Sequence, residues 1–149
     1  MTADTEPQPM NEPITWRGSE NTCFGCGSAS DRGLRLEFWQ VGEHAIECRY
    51  TPEPDLAGAP GIVHGGVQAI ILDEVMGYTC HTVEQEWNFV TAEMNLRYRA
   101  AVQTDEPLVA RGDLVRTDGR SLHLEATIHN VAGDLLTEAT ARWVSLGAV

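Results

Sequence analysis

A chain of 149 residues, of which 42% are hydrophobic and 21% charged, has the length and composition of one globular domain. Its 22 acidic residues outnumber its 10 basic ones, and the resulting net charge of −12 argues against binding to nucleic acid or to an anionic membrane surface. All ten basic residues are arginine, so catalysis through a lysine Schiff base is excluded.

The composition of the first residues predicts an N-terminal tail. Residues 1–15 hold three prolines and few apolar side chains, and we interpret residues 1–20 as a partly mobile N-terminal tail before a domain over residues 21–149. The segment does not resemble a secretory signal, and no apolar run in the chain is long enough to cross a membrane. With only four cysteines, the sequence favours a reduced, cytoplasmic protein with no membrane association.

The first predicted elements are a hairpin and a helix. Alternating apolar and polar residues predict strands over 34–38 and 46–50, joined by a turn at 42–43. A loop rich in proline and glycine follows over 52–61. Residues 65–82 predict a helix that is apolar on nearly all sides, which means that it is buried.

Four further strands are predicted after the helix. Residues 90–99 alternate with a period of two, with the apolar or small residues at even positions and the polar ones at odd positions, so the polar face points outward or into an oligomer interface. The other three strands lie at 108–116, where Gly112 weakens the pattern, 122–129 and 136–145. This order predicts an α+β fold with one long buried helix wrapped by a five- to six-stranded antiparallel sheet.

The sequence His64-Gly65-Gly66 lies where the loop enters the helix. A helix N-terminus presents unpaired N–H groups and a partial positive charge, and glycines let a ligand approach the backbone closely. Such a site can polarise a carbonyl oxygen. His64 could also serve only as the helix cap.

Asp73 follows on the same helix, on a stripe of small and apolar residues. A carboxylate there is costly unless it is paired or used, which makes it a candidate catalytic acid or base, although a solvated position in an interface is the alternative. The neighbouring Glu74 faces His81 and Tyr78, which could hydrogen-bond it.

The pair Cys23-x-x-Cys26 is compatible with zinc or redox chemistry. A structural zinc site needs four ligands at paired spacing, and Cys48 and Cys80 lack that spacing. The sequence therefore favours a packed turn, with no metal and no cofactor.

Taken together, these motifs resemble the hotdog-fold acyl-CoA thioesterases, in the branch of the phenylacetic-acid-degradation and THEM-type enzymes. The resemblance covers about residues 23–146. It rests on Cys23-Phe24-Gly25-Cys26-Gly27, on His64-Gly65-Gly66 with Asp73 nine residues later, on the strand from Thr91 to Tyr98, and on Gly119-Arg120. The chain departs from the pattern at Arg99-Ala100-Ala101, where an Arg-Pro step is frequent.

The resemblance implies hydrolysis of an acyl-CoA at the interface of a homodimer whose sheets join, often within a dimer of dimers. The helix-start N–H of Gly65 or Gly66 would polarise the thioester carbonyl, and Asp73 of the other subunit would act as general base or nucleophile. Thr91 would help to place the water, and His64 would orient groups near the thioester. Because strands commonly carry threonine, Thr91 could equally have no such role.

The substrate-binding candidates are Arg116 and Arg120, which flank the turn at Asp118-Gly119, and Glu74. The main alternative function is a non-catalytic acyl-CoA-binding protein of the same fold. A hotdog hydratase ranks last, because those enzymes place an Asp-His pair at a different spacing.

Overall fold

The computed structural model describes residues 12–148 and contains the elements in the predicted order. They are β1 (Phe38–Gly42), β2 (Ala45–Tyr50), a short 3-10 turn (Pro54–Leu56), α1 (Gly65–His81), β3 (Trp87–Tyr98), β4 (Leu108–Asp118), β5 (Ser121–Asn130) and β6 (Leu135–Ala148).

The strands form one antiparallel sheet in the order β1-β2-β4-β5-β6-β3, and α1 packs against it. The predicted α+β hotdog architecture is therefore confirmed. Although β3 comes directly after the helix, it lies at one edge of the sheet and pairs with β6 alone among the described strands. This edge is 12 residues long, and its free backbone groups can pair with a further strand.

The helix is buried, as its composition predicts. Ile71, Leu72 and Val75 are fully shielded from solvent. Gly112 of β4 marks the point where the helix presses on the sheet, because a Cβ atom there would lie 2.9 Å from the carbonyl oxygen of Val75 and 2.7 Å from Oγ1 of Thr79. The glycine that weakens the strand pattern thus has a packing reason.

The first predicted strand is displaced in the structure. Residues 34–37 lie outside the sheet, and β1 begins at Phe38. Arg35 has a φ of 52°, a left-handed conformation that interrupts an extended backbone. The N–H groups of Leu34 and Leu36 instead donate to the carbonyls of Phe24 and Gly25.

Part of the predicted tail packs on the domain. The N–H of Ile14 donates to the carbonyl of Phe38 at 2.7 Å, and the ring of Trp16 stacks on Tyr78 at 6.1 Å between centroids. Residues 1–11 of the predicted tail lie outside the described residues.

The prediction of one apolar face along residues 90–99 is wrong for the first part of β3. A bulge leaves Ala92 without a partner, since Thr91 pairs with Trp143 and Glu93 pairs with Arg142. The extra residue inverts the alternation. Thr91 and Met94 consequently lie on the same side of the strand, since Thr91 bonds Asp73 of the helix and Met94 packs against the core. Val90 of the predicted apolar face is exposed.

Candidate active site

The start of α1 offers one free backbone donor. His64 is the N-cap residue, and its Nδ1 accepts the N–H of Gly66 at 2.8 Å. The N–H of Gly65 has no acceptor among residues 12–148. This N–H lies at the positive end of the helix dipole, where it can stabilise a developing negative charge.

Tyr98 also contacts this end of the helix, which no sequence motif predicts. Its hydroxyl, at the end of β3, donates to the carbonyl of Gly65 at 2.9 Å. Beside these two residues lies an open cavity of about 380 Å³, with a mostly apolar wall that includes Ile62, Ala100 and Ala101. The free N–H of Gly65 therefore lies next to a space that an acyl thioester could enter.

A buried amide fixes the loop that leads into the helix. Gln68 is only 4% exposed, donates to the carbonyl of Val63 at 3.0 Å and accepts the hydroxyl of Thr137 at 2.6 Å. Since all three groups are buried and paired, the loop before His64 is held against β6.

The second polar centre is the pair formed by Asp73 and Thr91. The hydroxyl of Thr91 donates to Oδ1 of Asp73 at 2.6 Å, within the range of a short charge-assisted hydrogen bond. Burial raises the pKa of Asp73 above its usual value, the hydroxyl of Thr91 acts in the opposite direction, and the charge of Glu74 raises the pKa further. A partly desolvated carboxylate held by one hydrogen bond is suited to proton abstraction or to attack.

The helix start and Asp73 of one chain are too far apart to act on the same carbonyl. Eight residues separate Gly65 from Asp73, which corresponds to about 12 Å along the helix axis. A thioester carbonyl bonded to one N–H and attacked by an adjacent water spans only a few ångströms. Both centres can therefore serve one reaction only if each comes from a different copy of the chain.

Glu74 follows Asp73 on the helix, but its side chain bonds a different part of the chain. Its carboxylate accepts the thiol of Cys23 at 3.2 Å. The ring of His81, a predicted partner of Glu74, instead contacts the guanidinium of Arg17 and the carbonyl of Gln85. The structure thus directs Glu74 toward the loop of residues 21–27, which holds Cys23 and Cys26 and is called the cysteine loop below.

The predicted CoA-binding arginines lie at the tip between β4 and β5. Arg116 is exposed, and the Nε of Arg120 donates to the carbonyl of Ser145 at 3.1 Å. Ser145 pairs with Phe89, two residues before Thr91, so Arg120 lies at the same end of the sheet as the Asp73–Thr91 pair.

Comparisons with known proteins agree with this architecture. Residues 60–137 match the family described as the thioesterase superfamily. Rat acyl-coenzyme A thioesterase THEM4 is 31% identical over 120 residues, which cover 78% of this chain and 51% of the relative. The chain thus spans about half the length of the curated relatives it matches.

Solved structures show the same fold. The Escherichia coli PaaI protein from the phenylacetic acid degradation operon has a TM-score of 0.72 at 14% identity, covering 78% of this chain and 83% of that one. A hypothetical thioesterase from Streptococcus pneumoniae, solved with coenzyme A, has a TM-score of 0.69 at 18% identity, covering 76% and 90%.

Within residues 12–148, one α-helix packs on a six-stranded antiparallel sheet, and this arrangement defines a protein of the hotdog class. The match over more than half of its length shows that this chain belongs to the thioesterase superfamily. Within residues 12–148, no helix combines the length and apolar character that crossing a membrane requires.

Proposed function

We propose that the protein hydrolyses the thioester of an acyl-CoA, or of a related acyl carrier, to a free acid and a thiol. Family membership supports thioester chemistry, and the relative THEM4 is named an acyl-coenzyme A thioesterase. The observation that carries the proposal is the half-buried carboxylate of Asp73, which accepts the hydroxyl of Thr91 and lies beside an edge strand that pairs on one side only among the described residues.

The proposed site is shared between two copies of the chain. If two β3 edges pair antiparallel about a twofold axis, the start of one strand lies beside the end of the other. Thr91 and Asp73 of one copy then approach Tyr98 and Gly65 of its partner. The separation of about 12 Å within one chain supports this arrangement. We extend the proposal to a dimer of dimers.

Each residue has a defined role in the proposed reaction. The N–H of Gly65 donates to the thioester oxygen and stabilises its negative charge as the tetrahedral intermediate forms. Asp73 of the partner copy either removes a proton from the attacking water or attacks the carbonyl itself. Thr91 orients the carboxylate of Asp73. His64 and Gly66 stabilise the helix start, because the N–H of Gly66 is engaged by His64 and is not free for the substrate.

CoA is assigned to the end of the sheet that carries Arg116 and Arg120. The chain has a net charge of −12, so the phosphates of CoA need a local cluster of positive charge. These two guanidinium groups flank the turn at Asp118-Gly119, near the end of β3 that holds Thr91.

The four cysteines are free thiols, which supports a reducing compartment such as the cytoplasm.

Thiol release from a panel of acyl-CoA substrates, from acetyl to palmitoyl and including phenylacetyl and benzoyl, tests the proposal. We expect turnover of some members and a loss of about 10²–10⁴-fold in Asp73→Asn, the range for loss of an acid–base group. Asp31→Asn, which neutralises an exposed acid, is the control and should keep wild-type activity. If every substrate stays intact while an acyl-CoA raises the melting temperature, the protein is a binding module and the proposal is wrong.

A further inference from the structure

The cysteine loop and the helix bring three metal-binding side chains together outside the proposed active site. The two sulfur atoms of Cys23 and Cys26 and a carboxylate oxygen of Glu74 all lie within 4.8 Å of one another. Sγ of Cys23 is 3.2 Å from Oε1 of Glu74. The sequence could not pair these residues, because Glu74 is 48 positions beyond Cys26.

The loop is built closely around these atoms. Gly25 packs directly on the side chain of Glu74, so that a Cβ atom at position 25 would overlap it. Asn21 fixes both cysteines, because its Oδ1 accepts the N–H of Cys23 at 3.0 Å and its Nδ2 donates to Sγ of Cys26 at 3.3 Å. The donor atoms are consequently held in place before any ligand binds, which lowers the ordering cost of binding.

The geometry suits a tetrahedral cation. Bonds of about 2.3 Å to sulfur and 2.0–2.2 Å to oxygen place neighbouring ligands roughly 3.5–3.8 Å apart around zinc. The observed separations, from 3.2 Å to at most 4.8 Å, differ from this by about 1 Å or less. Two thiolates with one carboxylate favour a thiophilic divalent ion, and three protein ligands leave the fourth position to water.

We propose that Cys23, Cys26 and Glu74 bind one thiophilic divalent cation, with zinc as the natural ion. The bound ion joins the loop before β1 to the middle of α1, at the residue next to Asp73. It replaces the two thiol protons, which are released to solvent. The proposed site takes no part in thioester cleavage.

Titration of the reduced, metal-free full chain with Co²⁺ tests the proposal directly. We expect one equivalent of Co²⁺ to produce a sulfur-to-cobalt charge-transfer band and the visible bands of a tetrahedral ion, and Zn²⁺ to displace it. Cys23→Ser should weaken Co²⁺ binding by at least about 10–100-fold. Loss of a residue that only hydrogen-bonds a metal ligand already costs this much, and Cys23 is a proposed direct ligand. Glu74→Gln should weaken binding while keeping the thiolate band.

Two control variants separate the site from general effects. Cys80→Ala removes a buried thiol elsewhere in α1, and Glu106→Gln neutralises an exposed acid; both should bind Co²⁺ like the wild type. Zn²⁺ should also raise the melting temperature of the wild type more than that of Cys23→Ser.

The proposal is overturned if the wild type shows no charge-transfer band, or if Cys23→Ser and Glu74→Gln bind as tightly as the wild type. A disulfide between Cys23 and Cys26 that persists in reductant and blocks the metal would also overturn it. None of these results depends on hydrolysis, so the metal site and the proposed activity are tested independently of each other.

Discussion

Replacing Gly65 by proline removes the one N–H that the proposed reaction uses. Proline is tolerated at the first position of a helix, where its φ of about −65° already fits and its missing N–H breaks no helical hydrogen bond. His64 has φ −53° and ψ 134°, an extended conformation that a following proline permits. The variant should therefore fold with α1 intact.

The expected loss can be derived from the role of this donor. Removing one hydrogen bond to a developing oxyanion costs about 2.7–4 kcal/mol, or about 10²–10³-fold in kcat. Gly65→Ala is the matched control, since it adds a Cβ that approaches the hydroxyl of Tyr98 to 3.3 Å but keeps the N–H. It should retain most of the activity.

Thiol release under saturating acyl-CoA gives kcat for both variants, and circular dichroism checks the helix. Two results would refute the reasoning. If Gly65→Pro turns over at a rate near that of the wild type, this N–H does not stabilise the oxyanion. If Gly65→Ala loses as much activity as Gly65→Pro, the contact with Tyr98 rather than the donor explains the effect.

Three further predictions follow from the same geometry. Equal amounts of Gly65→Pro and Asp73→Asn chains, unfolded and reassembled together, should recover about a quarter of the wild-type activity if each site uses two chains, and none if one chain holds the whole site. Thr91→Val should lose roughly tenfold in kcat/KM, and the acid limb of its pH profile should move to higher pH, because the hydroxyl of Thr91 lowers the pKa of Asp73. Thr91→Ser keeps the hydroxyl and should match the wild type, and an unchanged acid limb in Thr91→Val would contradict this prediction. Gly112→Ala should lower the free energy of unfolding in urea by about 1–3 kcal/mol, because the methyl group meets the backbone of α1; wild-type stability would show that the helix can shift.

The order of the elements could be predicted from the sequence because each segment carries its own local pattern. The helix is apolar on all sides and can only be a buried one. The strands after it alternate and are separated by turn residues such as Asp118-Gly119. Gly112 weakens the predicted strand over 108–116. The structure explains the glycine by the close packing of α1 on β4, and a strand pattern carries no information about that contact.

Predictions failed where one residue changes the backbone locally. The left-handed conformation of Arg35 moves the first strand to Phe38, yet arginine gives no sequence signal for a positive φ. The bulge at Ala92 turns Thr91 toward the helix, whereas regular alternation places it with the outward-facing residues. The hydrogen bond between Asp73 and Thr91 thus depends on a single inserted residue. The resemblance implies roles for these two residues, but neither it nor the periodicity predicts the bulge.

Contacts between segments that are distant in the sequence could not be predicted either. Helix geometry predicts Tyr78 and His81 as possible hydrogen-bond partners of Glu74, because they lie one and two turns further along the same helix. The structure instead gives it Cys23, from a loop 51 residues earlier. Helical periodicity identifies the side of α1 on which Glu74 lies, and only the packed fold shows what covers that side.

The stability of Asp73→Asn distinguishes a carboxylate kept for chemistry from one kept for structure. Burial raises the pKa of Asp73 in the folded state, so the folded protein holds this proton more tightly than the unfolded chain. Stability from this group is therefore present at low pH and lost as pH rises from the unfolded pKa through the raised folded pKa. Asparagine stays neutral and can still accept the hydroxyl of Thr91.

We accordingly expect Asp73→Asn to resist urea better than the wild type at neutral pH, with a difference that shrinks as the pH falls below the folded pKa. A carboxylate that the fold needs would behave in the opposite way, and its replacement would destabilise the protein at neutral pH. Urea unfolding of both proteins at several pH values decides between the two. A gain in stability together with a loss of turnover would mean that the fold tolerates Asp73 at a cost that only its chemistry explains.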